Sequence, residues 1–517
     1  MLSAGLSAAV VLFVVYFSLT LVQAKYRHYR QARDLKCQEP NRVNSPFFGM
    51  ASLWRSYKAK QENRLLEEIA NTHAEYGHTF TQSSPIHAFT ATIEPENVKA
   101  VLATKFSDFG LGTRNQQFYP LLGDGIFTLD GAGWTHSRAL LRPQFARDQV
   151  ADTALLNDHV TSFIDLLPKD KSGFDIQRMF FLLTIDSATH FLFGESVGAL
   201  ALDSTKGGIL NSSSVGGAAG FAEEFNKSQD YLASRSILQG LYWLINPKDF
   251  QEANRKVHEV VDYYVNLALQ AKNGPSKELS GERYIFLNAL AAETQDPKML
   301  RDSMLNILLA GRDTTASLLS STFYYLARHP ETWKKLRNEI VNMFGDSHQP
   351  IAEITQSKLR DIPYLRHVLN EVLRLMPPVP ANFRVANKDT TLPVGGGPDG
   401  SHPVFIPKGH IVTYSVYNMH RRKDFWGEDA QLFRPERWEE NAKHGWDYLP
   451  FNGGPRICLG QQYALTEASY TVAKLLQRFD VLENADPNPT KEPVLLTNLT
   501  LSHADGVFVK LYSSDNV

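Results

Sequence analysis

The stretch Phe451–Gly460, FNGGPRICLG, places one cysteine between a glycine-rich turn and the start of a helix. The helix is predicted over Leu459–Phe479, where apolar residues recur at helical spacing. A thiolate at a helix N-terminus is stabilised by unpaired backbone N–H groups and by the positive end of the helix dipole. A buried, inert cysteine is the alternative, but it would not need open backbone on both sides. We therefore predict that Cys458 is a ligand-forming thiolate and that Cys37, the other cysteine, is an ordinary reduced side chain.

The composition of the chain argues against a disulfide-rich protein and against a nucleic-acid-binding protein. Two cysteines in 517 residues exclude a disulfide framework. The chain is 43% hydrophobic and 21% charged, with a formal net charge of −2. Because there is no basic excess to attract nucleic acid, we expect no nucleic-acid partner.

The N-terminus differs from the rest of the chain. No charged residue occurs from Leu2 to Val22, and about 20 apolar residues are enough to span a bilayer core. Basic residues cluster directly afterwards, from Lys25 to Arg33, and such clusters stay on the cytosolic side of a membrane. The pattern predicts an uncleaved anchor at residues 1–24, with the remaining chain cytosolic; a buried hydrophobic helix is the alternative.

Helical periodicity dominates the rest of the sequence, which predicts a mainly α fold with a minor β-sheet (α+β). Strands are predicted at Ala88–Ile93, Phe383–Ala386, Val404–Ile406, Ile411–Ser415 and Val507–Tyr512. The glycine-rich run Gly395–Gly400 predicts a hairpin between extended segments. We divide the chain into the anchor at 1–24, a basic and proline-containing connector at 25–50, and one catalytic domain at 51–517.

A second motif lies in the middle of a long predicted helix. Asp296 and Pro297 are typical of a helix start, and the apolar periodicity continues to His329. Some 32 residues give a helix of roughly 48 Å, long enough to cross the domain. Its centre holds Gly311, which costs about 1 kcal/mol relative to alanine inside a helix. A helix that only packs against its neighbours does not require this glycine. The alternative is that the glycine is tolerated and that Thr314 and Thr315 donate hydrogen bonds to helix carbonyls.

The two motifs together resemble those of the cytochromes P-450. The pattern F-x-x-G-x-R-x-C-x-G is matched at Phe451, Gly454, Arg456, Cys458 and Gly460. This resemblance implies the cytochrome P-450 fold with one N-terminal transmembrane helix. It also implies a haem b whose iron is held by the Cys458 thiolate. Ala310 stands where animal fatty-acid hydroxylases often carry a glutamate esterified to the haem, so we expect no further covalent link.

The segment Ala310–Thr315, AGRDTT, resembles the distal-helix motif of the same family. The resemblance implies two catalytic residues. Thr314 would hydrogen-bond the oxygen ligand, and Asp313 would relay protons towards it. Arg312 occupies the variable position of the motif and receives no role.

Three further motifs agree with this family. Glu371 and Arg374 are spaced to pair on one face of a helix predicted over Pro363–Leu375. With Arg437 of the segment FRPERW, they are implied to form a buried structural network. The haem propionates need cations and donors, and arginine meets carboxylates bidentately. The residues implied to bind them are Trp134, Arg138, Arg384 and Arg456.

Stretches outside the haem motifs resemble the fungal n-alkane and fatty-acid ω-hydroxylases. They are Phe180–Val197, Phe225–Leu244, Gly281–Thr294 and Thr391–Gly400. The resemblance implies a haem-thiolate monooxygenase that hydroxylates a long aliphatic chain at or near its terminal carbon. The residues implied to line its substrate pocket are Phe109, Phe118, Phe127, Leu308, Val379, Pro380, Leu499 and Leu501.

Two other functions stay open at this point. One is a P-450 of a fungal secondary-metabolite pathway that oxidises a polyketide or terpene. The other is a non-oxygenase haem protein of the same fold, against which the pair Asp313 and Thr314 argues.

The expected partners follow from the same resemblance. The sequence shows no flavin or iron–sulfur module, so electrons must come from a partner. The resemblance implies NADPH–cytochrome P-450 reductase, with cytochrome b5 as an optional second donor. It further implies O2, an apolar small-molecule substrate and membrane lipid, and location at the endoplasmic reticulum membrane.

Overall fold

The computed structural model describes residues 2–45, 49–83, 88–145, 153–201, 217–273, 285–440, 444–490 and 492–513. Over these residues the protein is mainly helical, with four small sheets, which confirms the predicted fold class. Residue 1 of the predicted anchor and residues 46–48 of the predicted connector lie outside the described residues.

The helices are numbered in chain order. They are α1 Leu2–Asp34, α2 Met50–Gln61, α3 Leu65–Tyr76, α4 Pro95–Lys99, α5 Arg114–Leu122, α6 Gly131–Leu141, α7 Ala154–Leu166, α8 Ile176–Phe193, α9 Gly217–Leu238, α10 Lys248–Asn273, α11 Phe286–Glu293, α12 Pro297–Arg328, α13 Pro330–Phe344, α14 Gln356–Arg360, α15 Pro363–Leu375, α16 Val416–Met419, α17 Lys423–Trp426, α18 Arg437–Glu440 and α19 Gln461–Arg478.

The strands are short and form small sheets. They are β1 Asn41–Arg42, β2 Thr79–Ser83, β3 Ala88–Thr92, β4 Phe109–Gly110, β5 Phe174–Asp175, β6 Ala381–Ala386, β7 Thr390–Gly396, β8 His402–Ile406, β9 Ile411–Ser415, β10 Val481–Asn484, β11 Leu495–Thr497, β12 Leu501–His503 and β13 Phe508–Tyr512. The largest sheet has the order β1-β2-β3-β9-β6-β4, in which β3 and β9 are parallel and β6 runs antiparallel to β9. The other sheets are β10-β13-β5, β11-β12 and β7-β8.

The predicted strand segments are confirmed by β3, β6, β8, β9 and β13. The run Gly395–Gly400 also forms the predicted hairpin, because β7 and β8 pair antiparallel on either side of it. The Gly395 N–H closes the turn by donating to the Gly400 carbonyl at 2.6 Å.

The helix α12 runs through the centre of the molecule and touches both large apolar clusters. The Asp296 side chain caps it by accepting from the backbone N–H groups of Lys298 and Met299, with a proline at the first position, as predicted. Its first half contributes Leu305 to a cluster formed with α5 and α8 to α11. Its second half contributes Phe323 to a cluster formed with α13, α15 and α19. A central helix buried on most sides can therefore present a short segment to an internal cavity.

The helix α1 contains the whole described part of the predicted anchor and continues to Asp34. No helix in the described ranges is both long and apolar enough to cross a membrane. The transmembrane helix predicted within residues 1–24 is therefore not found among the described residues.

The segment after α1 packs against the β7–β8 hairpin. The Gln38 N–H donates to the Pro403 carbonyl at 2.9 Å, and the Gly397 N–H donates to the Glu39 carbonyl at 3.0 Å. Gly396 allows this approach, because a Cβ atom added there would overlap the Gln38 carbonyl. We call these hydrogen bonds of Gln38 and Glu39 the N-terminal contact.

Candidate functional site

The two sequence motifs meet at one internal cavity. The cavity has a volume of about 270 Å³. Ala310, Gly311 and Thr314 of α12 form one wall, and the loop around Cys458 forms another. The fold thus brings together segments nearly 150 positions apart in the sequence.

The Cys458 side chain lines this cavity and is exposed. Its backbone N–H donates to the Phe451 carbonyl at 3.0 Å, which closes the loop on itself. The tight path depends on Gly454, whose φ is +66° and whose added Cβ would overlap the Leu102 carbonyl oxygen. Burial raises the pKa of the Cys458 thiol, while a hydrogen bond from the Gly460 backbone and the charge of Arg138 oppose this. A cation on the cavity side would shift the balance to the thiolate.

Four guanidinium groups also face the cavity, and they repel one another. Burial lowers the pKa of Arg114 to about 9, with a further contribution from the charge of Arg384. Burial likewise lowers the pKa of Arg456 to about 10; Asp130 opposes this shift, and Arg384 and Arg138 add to it. These four arginines are Arg114, Arg138, Arg384 and Arg456.

This cationic group has one carboxylate partner in the described part of the chain. Asp130 pairs with Arg456 at 2.7 Å, whereas Arg138 donates to the Ile457 carbonyl and Arg384 to the Phe383 carbonyl. Trp134 also lines the cavity, and its buried Nε1–H has no hydrogen-bond partner there. A buried cationic group with an unused N–H donor fits a ligand that brings two carboxylates, as haem does.

Arg114 was missed by the sequence analysis. It begins α5 and donates to the Asn382 side-chain oxygen at 2.8 Å, with its guanidinium 4.5 Å from the centre of the Phe383 ring. No motif surrounds Arg114 in the sequence. The antiparallel pairing of β4, just before α5, with β6 brings Asn382 and Arg384 beside it.

The two residues predicted to be catalytic lie in different surroundings. Thr314 lines the cavity, and its hydroxyl donates to the Ala310 carbonyl at 2.6 Å. Asp313 does not line the cavity; it is buried and forms an ion pair with Arg312 at 3.3 Å. Burial raises the pKa of Asp313, and the charge of Arg312 opposes this. Arg312, which the sequence analysis gave no role, therefore contacts the predicted proton relay.

The residues Glu371, Arg374 and Arg437 form a buried network, as predicted. Arg374 donates two hydrogen bonds to the Glu371 carboxylate, at 2.8 and 2.9 Å, and Arg437 donates a third at 2.8 Å. The Trp438 indole N–H adds a fourth at 3.1 Å. Every member of the group is buried, so the Glu371 carboxylate and the Arg374 guanidinium depend on each other for charge compensation, while Arg437 also pairs with Asp429 at 3.3 Å.

The predicted substrate-pocket residues are mostly not on the cavity wall. Only Phe127 and Val379 among them line it. Phe109, Phe118, Leu308 and Leu501 are buried in the packed apolar clusters, Leu499 packs against one of them, and Pro380 is buried beside β9. The cavity instead uses their neighbours, such as Leu111, Ile126 and Ile307. These residues pack into the adjoining core because an apolar residue near a site is equally suited to it, and their contact with substrate stays a prediction.

Comparison with known proteins gives matches over nearly the whole chain. Residues 40–504 match the family model described as Cytochrome P450. The chain is similar to cytochrome P450 52A12 from Debaryomyces hansenii, at 51% identity over 484 residues, which cover 93% of each protein. It is also similar to cytochrome P450 52A3-A from Candida maltosa, at 48% identity over 503 residues, covering 96% of this chain and 95% of that protein. Cytochrome P450 52A6 from Candida tropicalis is 49% identical over 505 residues, covering 95% of each.

Proposed function

The chain belongs to the cytochrome P450 family of haem-thiolate monooxygenases, and we propose that it hydroxylates a long-chain n-alkane or fatty acid at or near the terminal carbon. Members of this family bind haem b through a cysteine thiolate and act with O2 and a redox partner. The observation that carries the proposal for this chain is the shared cavity, because Cys458, Thr314 and a cationic group all line it.

Several residues would hold the haem. Cys458 would ligate the iron, since its side chain faces the cavity. The four cavity arginines and the unused Trp134 N–H would bind the two haem propionates. When bound, the haem supplies activation of dioxygen, and the cysteine ligand increases electron density at the iron.

The protein's own contribution is to deliver protons and to hold the substrate. The Thr314 hydroxyl can exchange its hydrogen bond to Ala310 for one directed into the cavity, and so hold a proton there. Asp313 precedes Thr314 in α12; burial raises the pKa of its carboxyl group and the charge of Arg312 opposes this, and we propose it as the group that passes protons to Thr314. Because Asp313 is paired with Arg312, we propose that it acts after this ion pair opens.

The substrate class is supported by chemistry and by resemblance. The cavity side chains Phe127, Ile307 and Val379 are apolar, as a hydrocarbon chain requires. The sequence stretches quoted above resemble fungal hydroxylases of such chains.

A graded substrate panel tests this assignment. The full-length protein would be reconstituted with NADPH–cytochrome P-450 reductase and supplied with n-alkanes, fatty acids and branched terpenes, and its products located by mass spectrometry. We expect hydroxylation of linear chains at or beside the terminal carbon. Turnover of terpenes alone would contradict the substrate proposal and favour a secondary-metabolite pathway.

Electron donors and membrane attachment are further parts of the proposal. We propose NADPH–cytochrome P-450 reductase as electron donor, cytochrome b5 as an optional second donor, and the endoplasmic reticulum membrane as the location. The uncharged stretch Leu2–Val22 supports attachment, and α1 side chains such as Val11, Phe13 and Tyr16 are exposed. Deletion of residues 2–24 is expected to move the protein from the membrane pellet towards the supernatant while the haem spectrum persists. Unchanged sedimentation would contradict α1 as the attachment site, and loss of haem would place these residues in the catalytic domain.

A further inference from the structure

One loop that forms part of the cavity wall lies directly on α12. This loop, Gly123–Thr128, follows α5. Its residues Ile126 and Phe127 line the cavity, and Phe127 is 37% exposed. The position of the loop backbone therefore decides where an aromatic ring meets anything bound in the cavity.

Asn306 of α12 binds this region with both ends of its amide. Its Oδ1 accepts from the Phe127 backbone N–H at 3.2 Å, and its Nδ2 donates to the Leu122 carbonyl at 2.9 Å. The same nitrogen donates to the Asp302 carbonyl at 2.7 Å. Asn306 is completely buried. Losing its side chain would thus remove this hydrogen-bond partner from the Phe127 N–H and from the Leu122 carbonyl at the end of α5.

The loop also packs closely on the helix. A Cβ atom added at Gly125 would overlap the Asn306 amide, and one added at Gly123 would overlap the Asp302 carboxylate. Asp302 in addition accepts from the Asp124 backbone N–H at 2.9 Å. The two glycines therefore allow the loop to follow the α12 surface.

Arg456 holds the opposite side of the loop. Its guanidinium donates to the Ile126 carbonyl at 3.4 Å and to the Leu129 carbonyl at 2.9 Å. Arg456 is two residues from Cys458. The Phe127 backbone is consequently fixed between α12 and the cysteine loop.

The helical spacing relates Asn306 to the reactive end of the cavity. Asn306, Ala310 and Thr314 follow one another at intervals of four and share one helix face. Asn306 lies about 12 Å from Thr314 along the axis, at about 1.5 Å per residue. A ring anchored there would touch a long linear substrate along its length and away from the oxidised carbon.

We propose that Asn306 is a positioning residue that fixes one wall of the substrate channel through the Phe127 backbone, and thereby selects which carbon of a linear chain is oxidised. The inference deepens the proposed function and rests on it for the substrate class. Asn306 itself would touch neither substrate nor haem.

A ligand-binding comparison tests the channel wall without turnover. Haem-loaded, full-length protein would be titrated with 1-dodecylimidazole and with imidazole, both followed by the Soret shift of nitrogen ligation. The two ligands share the iron-binding group, so the ratio of their Kd values reports on the alkyl tail. We expect this ratio to change roughly 3- to 10-fold in Asn306→Ala, the size of about one net hydrogen bond, with the imidazole Kd unchanged.

The structure offers a matched control and a double-mutant cycle. Asn97 is also completely buried and also binds backbone with both ends of its amide, accepting from the Val394 N–H and donating to the Val394 carbonyl. Asn97→Ala should leave the Kd ratio unchanged. If Asn306 acts through Phe127, the effects of Asn306→Ala and Phe127→Ala should be strongly non-additive. Additive effects, or an equal shift in Asn97→Ala, would overturn the proposal.

Product analysis tests the consequence for selectivity. With dodecanoic acid, we expect Asn306→Ala to lower the ratio of terminal to subterminal alcohols about 3-fold or more, and Asn97→Ala to leave it unchanged. An unchanged ratio in Asn306→Ala would overturn the role in selectivity. If the wild type oxidised no linear chain, the proposed function would fail, while the imidazole comparison would still decide the channel wall. If Asn306→Ala does not incorporate haem, Asn306→Asp takes its place. This variant keeps the acceptor for the Phe127 N–H and should give a smaller change in the Kd ratio. The proposal is overturned if Asn306→Asp or Phe127→Ala leaves the Kd ratio unchanged.

Discussion

Glu371 and Arg374 meet through two hydrogen bonds, at 2.8 and 2.9 Å, and both side chains are completely inaccessible to solvent. Arg437 reaches the same carboxylate at 2.8 Å. Arg437 also pairs with the partly exposed Asp429 at 3.3 Å, whereas Glu371 is the carboxylate that Arg374 pairs with. Removing the Glu371 charge is therefore more damaging than the loss of one hydrogen bond.

The variant Glu371→Gln is therefore expected to destabilise the fold. Breaking a buried pair costs roughly 3–5 kcal/mol, because the remaining charges lose their compensation. The measurement is the yield of haem-loaded protein and its urea midpoint. Glu252→Gln is the control, since Glu252 pairs with Arg255 on the exposed surface of α10 at 2.7 Å, where a pair contributes at most about 1 kcal/mol. Equal effects of the two variants would contradict the prediction.

Thr314→Ala is expected to uncouple NADPH consumption from product formation. Haem and substrate should still bind, but reducing equivalents should leave as hydrogen peroxide, because a proton-holding hydroxyl is missing from the cavity wall. Proton transfer by a positioned group contributes about 10²–10⁴-fold, so a change in the product-to-NADPH ratio should be easily measured. Thr322 gives a matched control on the same helix, because its hydroxyl donates to the Leu318 carbonyl at 2.7 Å but lies in the packed core. Uncoupling in Thr322→Ala, or unchanged coupling in Thr314→Ala, would show that the motif serves packing alone.

Cys458→Ser is expected to abolish the red-shifted Soret band of the reduced carbon monoxide complex. A serine oxygen does not replace the thiolate that donates electron density to the iron. Cys37→Ser should keep the band, since Cys37 precedes Gln38 near the N-terminus and does not line the cavity. A normal band in Cys458→Ser would contradict its assignment as the iron ligand.

The stability of the protein is expected to fall between about pH 4.5 and pH 7 through Glu467. Burial raises the pKa of this carboxyl group from 4.5 to about 7, although a hydrogen bond from Ser187 opposes the shift. In this pH window the folded protein retains a proton that the unfolded chain has lost, so the free energy of unfolding decreases as the pH rises. The full contribution is roughly 3 kcal/mol at 1.36 kcal/mol per pKa unit.

The apparent melting temperature measured across this pH window checks the role of Glu467. Glu467→Gln should flatten the profile, because glutamine does not titrate. Ser187→Ala should extend the decline to higher pH, because it removes the bond that lowers the pKa. An unaltered profile in Glu467→Gln would assign the slope to other groups.

Local sequence signals predicted the helices and motifs that depend on local chemistry. Asp296 and Pro297 start α12 as expected, and α15 spans the predicted Pro363–Leu375. The helix after Cys458 begins two residues later than predicted, at Gln461, because the cysteine loop continues through Gly460. These features follow from capping and periodicity, which short stretches of sequence carry in full.

Features that depend on distant contacts could not be predicted in this way. Arg114 joins the cavity only because β6 brings Asn382 next to it. Phe118 and Leu308 are apolar residues near the site, but the packing of α5 and α12 turns both into the core. Asp313 was placed correctly in the helix, but its pairing with Arg312 depends on its burial behind the cavity wall.

The N-terminal contact restricts the orientation of α1. The helix α1, roughly 50 Å long at about 1.5 Å per residue, is joined through Gln38 and Glu39 to the β7–β8 hairpin by two backbone hydrogen bonds. These bonds restrict the orientation of α1 relative to the rest of the protein. The direction of α1 therefore sets the tilt of the cavity with respect to any surface on which α1 lies. Truncation after residue 34 would remove α1 and keep both hydrogen bonds, whereas truncation after residue 50 would also remove the bonds to the β7–β8 hairpin.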